Sequence, residues 1–150
     1  MGASVTRAAS LAVAIWLGCG ALAAAHAVVL ITEEEAALPD DQLRARGFTR
    51  GPSIVVVSPP PTAGSMTSPV TIRIRFEGRG GIRVDPDTAV ITYIKDPPID
   101  LTARSRQFIS ANGITIGDAV VPAGTHNIRV EIKDAEGRPS SADFAIKVRK

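Results

Sequence analysis

Ile72-Arg73-Ile74-Arg75-Phe76-Glu77 decides how the chain is read. Every second residue is apolar, and those between are charged. Successive side chains of an extended strand point to opposite faces, so this segment is a strand with one buried and one wet face. Ile128-Arg129-Val130-Glu131-Ile132-Lys133 repeats the pattern, and Phe144-Ala145-Ile146-Lys147-Val148-Arg149 does so a third time. The nine apolar members of these three segments, from Ile72 to Val148, are the expected inter-sheet core. The surroundings agree. Residues 51–150 contain 13 Ile and 10 Val against a single leucine, Leu101. β-Branched side chains are stiff at χ1 and suit a pleated sheet, whereas helices favour leucine. Apolar runs at 54–57 and 90–94, and the shorter Ile114-Thr115-Ile116, read as further strands.

Turn chemistry separates them. Pro59-Pro60-Pro61 and Ala63-Gly64-Ser65 follow the first run, and Gly78-Arg79-Gly80-Gly81 follows the second. Asp96-Pro97-Pro98, Pro122-Ala123-Gly124 and Asp134-Ala135-Glu136-Gly137-Arg138-Pro139 punctuate the rest. The one helical candidate inside the domain is residues 100–109. Asp100 can cap it, and Leu101, Ser105 and Phe108 recur at i, i+4 and i+7. Six or seven strands in about 100 residues predict an all-β fold. The expected architecture is a single antiparallel immunoglobulin-like β-sandwich with a short helical crossover.

Two stretches carry a family resemblance. Val57 to Gly64, running on through Pro69-Val70-Thr71-Ile72 to Phe76, resembles the first hairpin of bacterial immunoglobulin-like and fibronectin-type-III-like modules. Pro122-Ala123-Gly124-Thr125-His126-Asn127-Ile128, the turn at 134–138 and Phe144-Ala145-Ile146-Lys147-Val148 resemble their closing hairpin. The resemblance covers residues 52–150 and implies architecture, not chemistry.

Upstream, the composition changes at Gly51. Arg7, an apolar run over 8–17 and a small-residue stretch ending Ala25-His26-Ala27 have the order of a secretory signal peptide. The expected leader is residues 1–27, with cleavage after Ala27 and a periplasmic or extracellular product. Cleavage after Ala25 is the alternative. Leu17-Gly18-Cys19 outlines a lipid-attachment box, but Trp16 departs from it, so Cys19 is expected to leave with the leader. No later segment reaches the roughly 20 apolar residues a bilayer span needs. Residues 28–50 form a partly helical arm, expected to be mobile or loosely packed, or to lie on the domain as a strap. Thr32-Glu33-Glu34-Glu35 is a capping box, Pro39 stops the helix, and Asp40 or Asp41 can cap a second turn through Ala45. The expected division is therefore 1–27 leader, 28–50 arm and 51–150 sandwich.

The chemistry-bearing residues are few. A net charge of +2 from 17 basic and 15 acidic side chains is not the dense cationic face of a nucleic-acid binder. With one cysteine, no intramolecular disulfide can form. After cleavage at Ala27 the only histidine is His126, and no nucleophile elbow is present, so no catalytic residue is assigned. Asp85, Asp87, Asp96, Asp100 and Asp118 sit where turn formation alone would put them, without calcium-loop spacing. Arg73, Arg75, Arg129, Lys133, Lys147 and Arg149 alternate with Glu77, Glu131 and Asp143 on wet faces. They are read as a mixed solvated surface that also blunts edge pairing.

The expected function is a non-enzymatic binding or structural module of the cell envelope, without a cofactor. It would act through the loop at 59–69, the crossover at 96–109 and the arm, toward another envelope protein or a polysaccharide. The alternative is a copper carrier. Small periplasmic copper proteins resemble this hairpin grammar, and some begin with a histidine. Cleavage after Ala25 would create such a terminus at His26, with His126 as a second imidazole. Against it, Glu136-Gly137-Arg138 lacks the histidine expected there, and Met66 is the lone thioether after the leader.

Overall fold

The computed structural model describes residues 27–42 and 50–150. The expected leader with Cys19 and His26, and the second helical turn expected through Ala45, lie outside the described residues. Among the described residues nine strands form two sheets. In chain order they are β1 (Val28–Val29), β2 (Ser53–Ser58), β3 (Val70–Glu77), β4 (Val84–Tyr93), β5 (Ile99–Asp100), β6 (Ile109–Ser110), β7 (Gly113–Val120), β8 (Gly124–Asp134) and β9 (Pro139–Val148). The first sheet runs β1-β7-β3-β2, with β6 also on β7, and the second runs β5-β4-β8-β9.

The alternating segments form the strands their pattern requires. Along β3 the side chains are buried and exposed in strict turn. Its buried set, Val70, Ile72, Ile74 and Phe76, joins Ile114 and Ile116 of β7. Across the core these meet Ile91 and Tyr93 of β4, Ile128, Val130 and Ile132 of β8, and Ile146 and Val148 of β9. Both sheets therefore feed one core. Phe144 departs from expectation. It is half-buried and packs against the core from the sheet edge, because β9 has a strand on one side only. The 54–57 run is likewise an edge strand, with Val57 40% exposed.

Two strands run past the points where the sequence places turns. Asp85-Pro86-Asp87 lies inside β4, where the register against β8 shifts between Asp85 and Val90. A bulge admits the proline, whose missing N–H would break a regular ladder. Gly117 and Asp118 lie inside β7 at a second shift, opposite the start of β3. The crossover forms one turn of α-helix, Thr102–Ser105, and a 3-10 turn, Arg106–Phe108. Asp100 accepts from the Thr102 N–H at 2.7 Å, and Leu101 and Ser105 face inward, as their spacing predicts.

Residues 28–42 do not hang free. Val28 and Val29 pair with Ala119 and Val120 in parallel, whereas the other pairings between these nine strands are antiparallel. Leu30 and Ile31 are 2% and 1% exposed and belong to the core. Burying two such side chains favours docking by about 3–6 kcal/mol in transfer terms. This outweighs what the short helix behind them, Glu33–Ala36, can supply by itself. Of the two arrangements expected for this segment, a loosely held arm or a strap on the domain, the Val28-Val29-Leu30-Ile31 run favours the strap.

Candidate functional site

Two buried polar side chains, Lys95 and His126, lie where this strap crosses the sandwich. Lys95 lies two residues past the end of β4 and is 4% exposed. Its ammonium spends all three N–H donors on the strap: the Ala36 carbonyl at 3.0 Å, the Leu38 carbonyl at 2.8 Å and the Asp40 carboxylate at 2.6 Å. The Asp96 N–H also donates to the Pro39 carbonyl at 3.0 Å. Burial alone would depress the Lys95 pKa. The Asp40 carboxylate and the Tyr93 hydroxyl outweigh that, and the ammonium is held above its ordinary value. It also stands 5.2 Å from the centre of the Tyr93 ring.

Tyr93 links this cluster to His126. The Tyr93 hydroxyl lies 2.8 Å from His126 Nδ1, and His126 Nε2 lies 2.9 Å from the Pro122 carbonyl. A carbonyl only accepts, so Nε2 carries the proton and Nδ1 accepts from the hydroxyl. Burial, with the Lys95 charge nearby, pushes the His126 pKa down and keeps the ring neutral, although the Pro122 bond opposes this. Burial likewise raises the Tyr93 pKa, against the pull of Lys95. Both ring nitrogens of His126 are thus engaged inside the core rim, and neither offers a metal a lone pair.

A second latch lies at the other end of the strap. Arg104 of the crossover forks onto Glu35 at 2.6 and 2.8 Å and donates to the Leu30 carbonyl at 2.9 Å. Glu35 also closes the capping box, accepting from the Thr32 N–H at 2.9 Å while Thr32 accepts from the Glu35 N–H at 3.2 Å. The Arg104 fork, with the Thr32 bonds, holds the Glu35 carboxyl down at about 2 against the cost of burial.

The remaining candidates are scattered. Asp85 accepts from the Asp87 N–H, and Asp87 pairs with Arg106. Asp96 and Asp118 are exposed on separate segments. Asp134, fully buried, accepts from Arg138 and from the amides of Glu136 and Arg138, which hold its pKa low despite burial. No group of three or more metal-ligating side chains occurs among the described residues. On the wet faces Arg75 pairs with Glu77, and Arg129 forks onto Asp143. Arg149 reaches the Thr67 hydroxyl.

The proline-rich loop builds one wall of a surface cleft. Met66 pairs with β9 in parallel, donating to the Lys147 carbonyl and accepting from the Arg149 N–H, both at 2.8 Å. This holds residues 59–66 beside the edge of β9. Between them lies a cleft of 280 Å³ lined by Pro59, Pro60, Pro61, Met66, Phe144 and Lys147, among others.

Lys95, Tyr93 and Arg104 were not singled out from the sequence. The one available signal was a lone tyrosine on an apolar register, whose hydroxyl needs a partner once buried. A scan against protein-family models, a search of curated proteins and a search of solved structures each gave no significant match. Among the described residues no helix is long and apolar enough to cross a membrane.

Proposed function

We propose that the chain is an exported, non-enzymatic binding or structural module of immunoglobulin-like architecture, working by contact through its loops. One observation carries the reading. The buried titratable side chains Lys95, His126 and Asp134, and the partly buried Glu35, are each spent on holding the strap, the core rim or a turn. The proline-lined cleft beside β9, by contrast, presents aliphatic surface to solvent. Rigid sandwiches commonly bind through such loops. The strand orders β5-β4-β8-β9 and β1-β7-β3-β2 support the immunoglobulin-like assignment. The order of charge, apolar run and small residues over 1–27 supports export after cleavage at Ala27. The target is an envelope protein or a polysaccharide.

The test is affinity capture from envelope extract with wild type and Pro60→Asp/Ala63→Asp. Both positions lie on the loop, outside the core. A specific partner lost with the double variant is the expected result. A partner retained at full strength removes the cleft from the function. Deletion of residues 28–50 is not a clean alternative, because it takes Leu30 and Ile31 out of the core.

A further inference from the structure

We infer that the end of the sandwich carrying Arg50, Arg79 and Arg83 docks on the phosphate headgroups of an anionic lipid bilayer. Three chain segments meet there: residues 50–52 before β2, the turn at 79–82 between β3 and β4, and the turn at 134–138 between β8 and β9. Strand register brings them together, with Ser53 opposite Glu77 and Val84 opposite Asp134. The Ala135 N–H donates to the Arg83 carbonyl at 2.9 Å. Gly51 lies so close to the third turn that a Cβ would stand 2.5 Å from the Pro139 carbonyl oxygen.

The charges at this end are unequally spent. Glu77 is paired with Arg75, while Arg138 serves both Asp134 and Glu136. Asp85 and Lys133 face each other across β4 and β8. The side chains of Arg50, Arg79 and Arg83 are exposed, and none forms a hydrogen bond or ion pair with a described residue. Three guanidinium groups are therefore left over on one rim.

The rim is convex. Gly80 and Gly81, both at positive φ, form its tip, and space is open beyond them. The three cations are exposed at one end of the strands, and a surface of many phosphates can neutralise all three together, as one small anion cannot. The large exposed apolar side chains, Val29, Val57 and Val90, lie off this tip, so contact is electrostatic without insertion. This surface is at the opposite end of the strands from the proline-lined cleft, and its occupation does not depend on the cleft having a partner.

The experiment is vesicle co-sedimentation of the full chain. Vesicles of equal parts phosphatidylglycerol and phosphatidylcholine are compared with phosphatidylcholine alone. Three chains are run together: wild type, Arg50→Gln/Arg79→Gln/Arg83→Gln, and a charge-matched control, Arg73→Gln/Arg149→Gln/Lys150→Gln. The apolar run over 8–17 is common to all three, so binding to neutral vesicles is a shared background. Each arginine near an anionic surface is worth roughly five-fold in affinity, so the tip variant should lose about a hundred-fold. The control should stay within about three-fold, and wild-type binding should fade in about 0.5 M salt. Superimposable thermal melts check that the variants fold, and Arg79→Gln alone, at an exposed turn position, gives a milder version of the same comparison. Equal binding by the tip variant, an equal loss in the control, or tip-dependent binding to heparin without vesicle binding would each overturn the inference.

Discussion

Replacing Lys95 with methionine isolates the latch between strap and sandwich. Methionine keeps most of the aliphatic stem against Tyr93 and removes only the ammonium. Three bonds are lost, to the Ala36 and Leu38 carbonyls and to the Asp40 carboxylate. Breaking a fully buried ion pair costs about 3–5 kcal/mol. Here Asp40 is 62% exposed and rehydrates freely, and residues 36 and 38 are only half-buried. The expected cost is therefore at the low end, about 3 kcal/mol. Asp40→Asn, which leaves both carbonyl bonds in place, should cost about 1 kcal/mol, as partly wet pairs do. Urea denaturation gives the free energies, and amide hydrogen exchange at Asp96, whose N–H is bonded to the Pro39 carbonyl, reports the strap directly. If Lys95→Met loses less than about 0.5 kcal/mol and the Asp96 amide keeps its protection, the latch is not what holds the strap.

Three further outcomes follow from single contacts. Ser105 Oγ is buried without a hydrogen-bond partner among the described residues, so Ser105→Ala should stabilise by about 1 kcal/mol and raise the melting temperature by roughly 4 °C. Gly113 sits at φ +145°, and a Cβ there would run into the Ile74 carbonyl oxygen. Gly113→Ala should therefore destabilise by at least about 2 kcal/mol in a thermal melt. Glu35, held at about 2 in the fold against an ordinary 4.5, contributes stability that is fully present above pH 4.5 and is lost as pH falls toward 2. An acid titration followed by circular dichroism should show that loss in wild type and a much smaller one in Glu35→Gln.

The three alternating segments were legible because period-two burial is a local property. Each charged residue between two Ile or Val fixes which face is wet, and β3 follows that rule without exception. Bulges are not local in the same way. Asp85-Pro86-Asp87 and Gly117-Asp118 have turn composition, and only pairing with β8 and β3 makes them strand. How the strap attaches was not legible for a related reason. Its helix was readable from Thr32 and Glu35, and its cap forms as expected. Its attachment depends on Lys95 and Arg104, some 60 to 70 positions away along the chain. His126 was readable as a rim histidine, but its tautomer is set by Pro122 and Tyr93, which only the fold brings to its two nitrogens.

The two ends of the sandwich treat their cations in opposite ways, for reasons of solvation. At the strap end an ammonium, a tyrosine and an imidazole are taken out of water, and each must find partners with good geometry or the fold loses several kcal/mol. The partners come from the strap and from one backbone carbonyl, so this polar chemistry is committed to structure. At the other end the arginines stay in water, where an unpaired guanidinium costs little and an exposed pair gains little. Folding therefore does not require Arg50, Arg79 or Arg83 to be charged, and replacing all three should leave the melting temperature nearly unchanged. A property that stability does not need and that three separate segments nevertheless share is best tested as a property of binding.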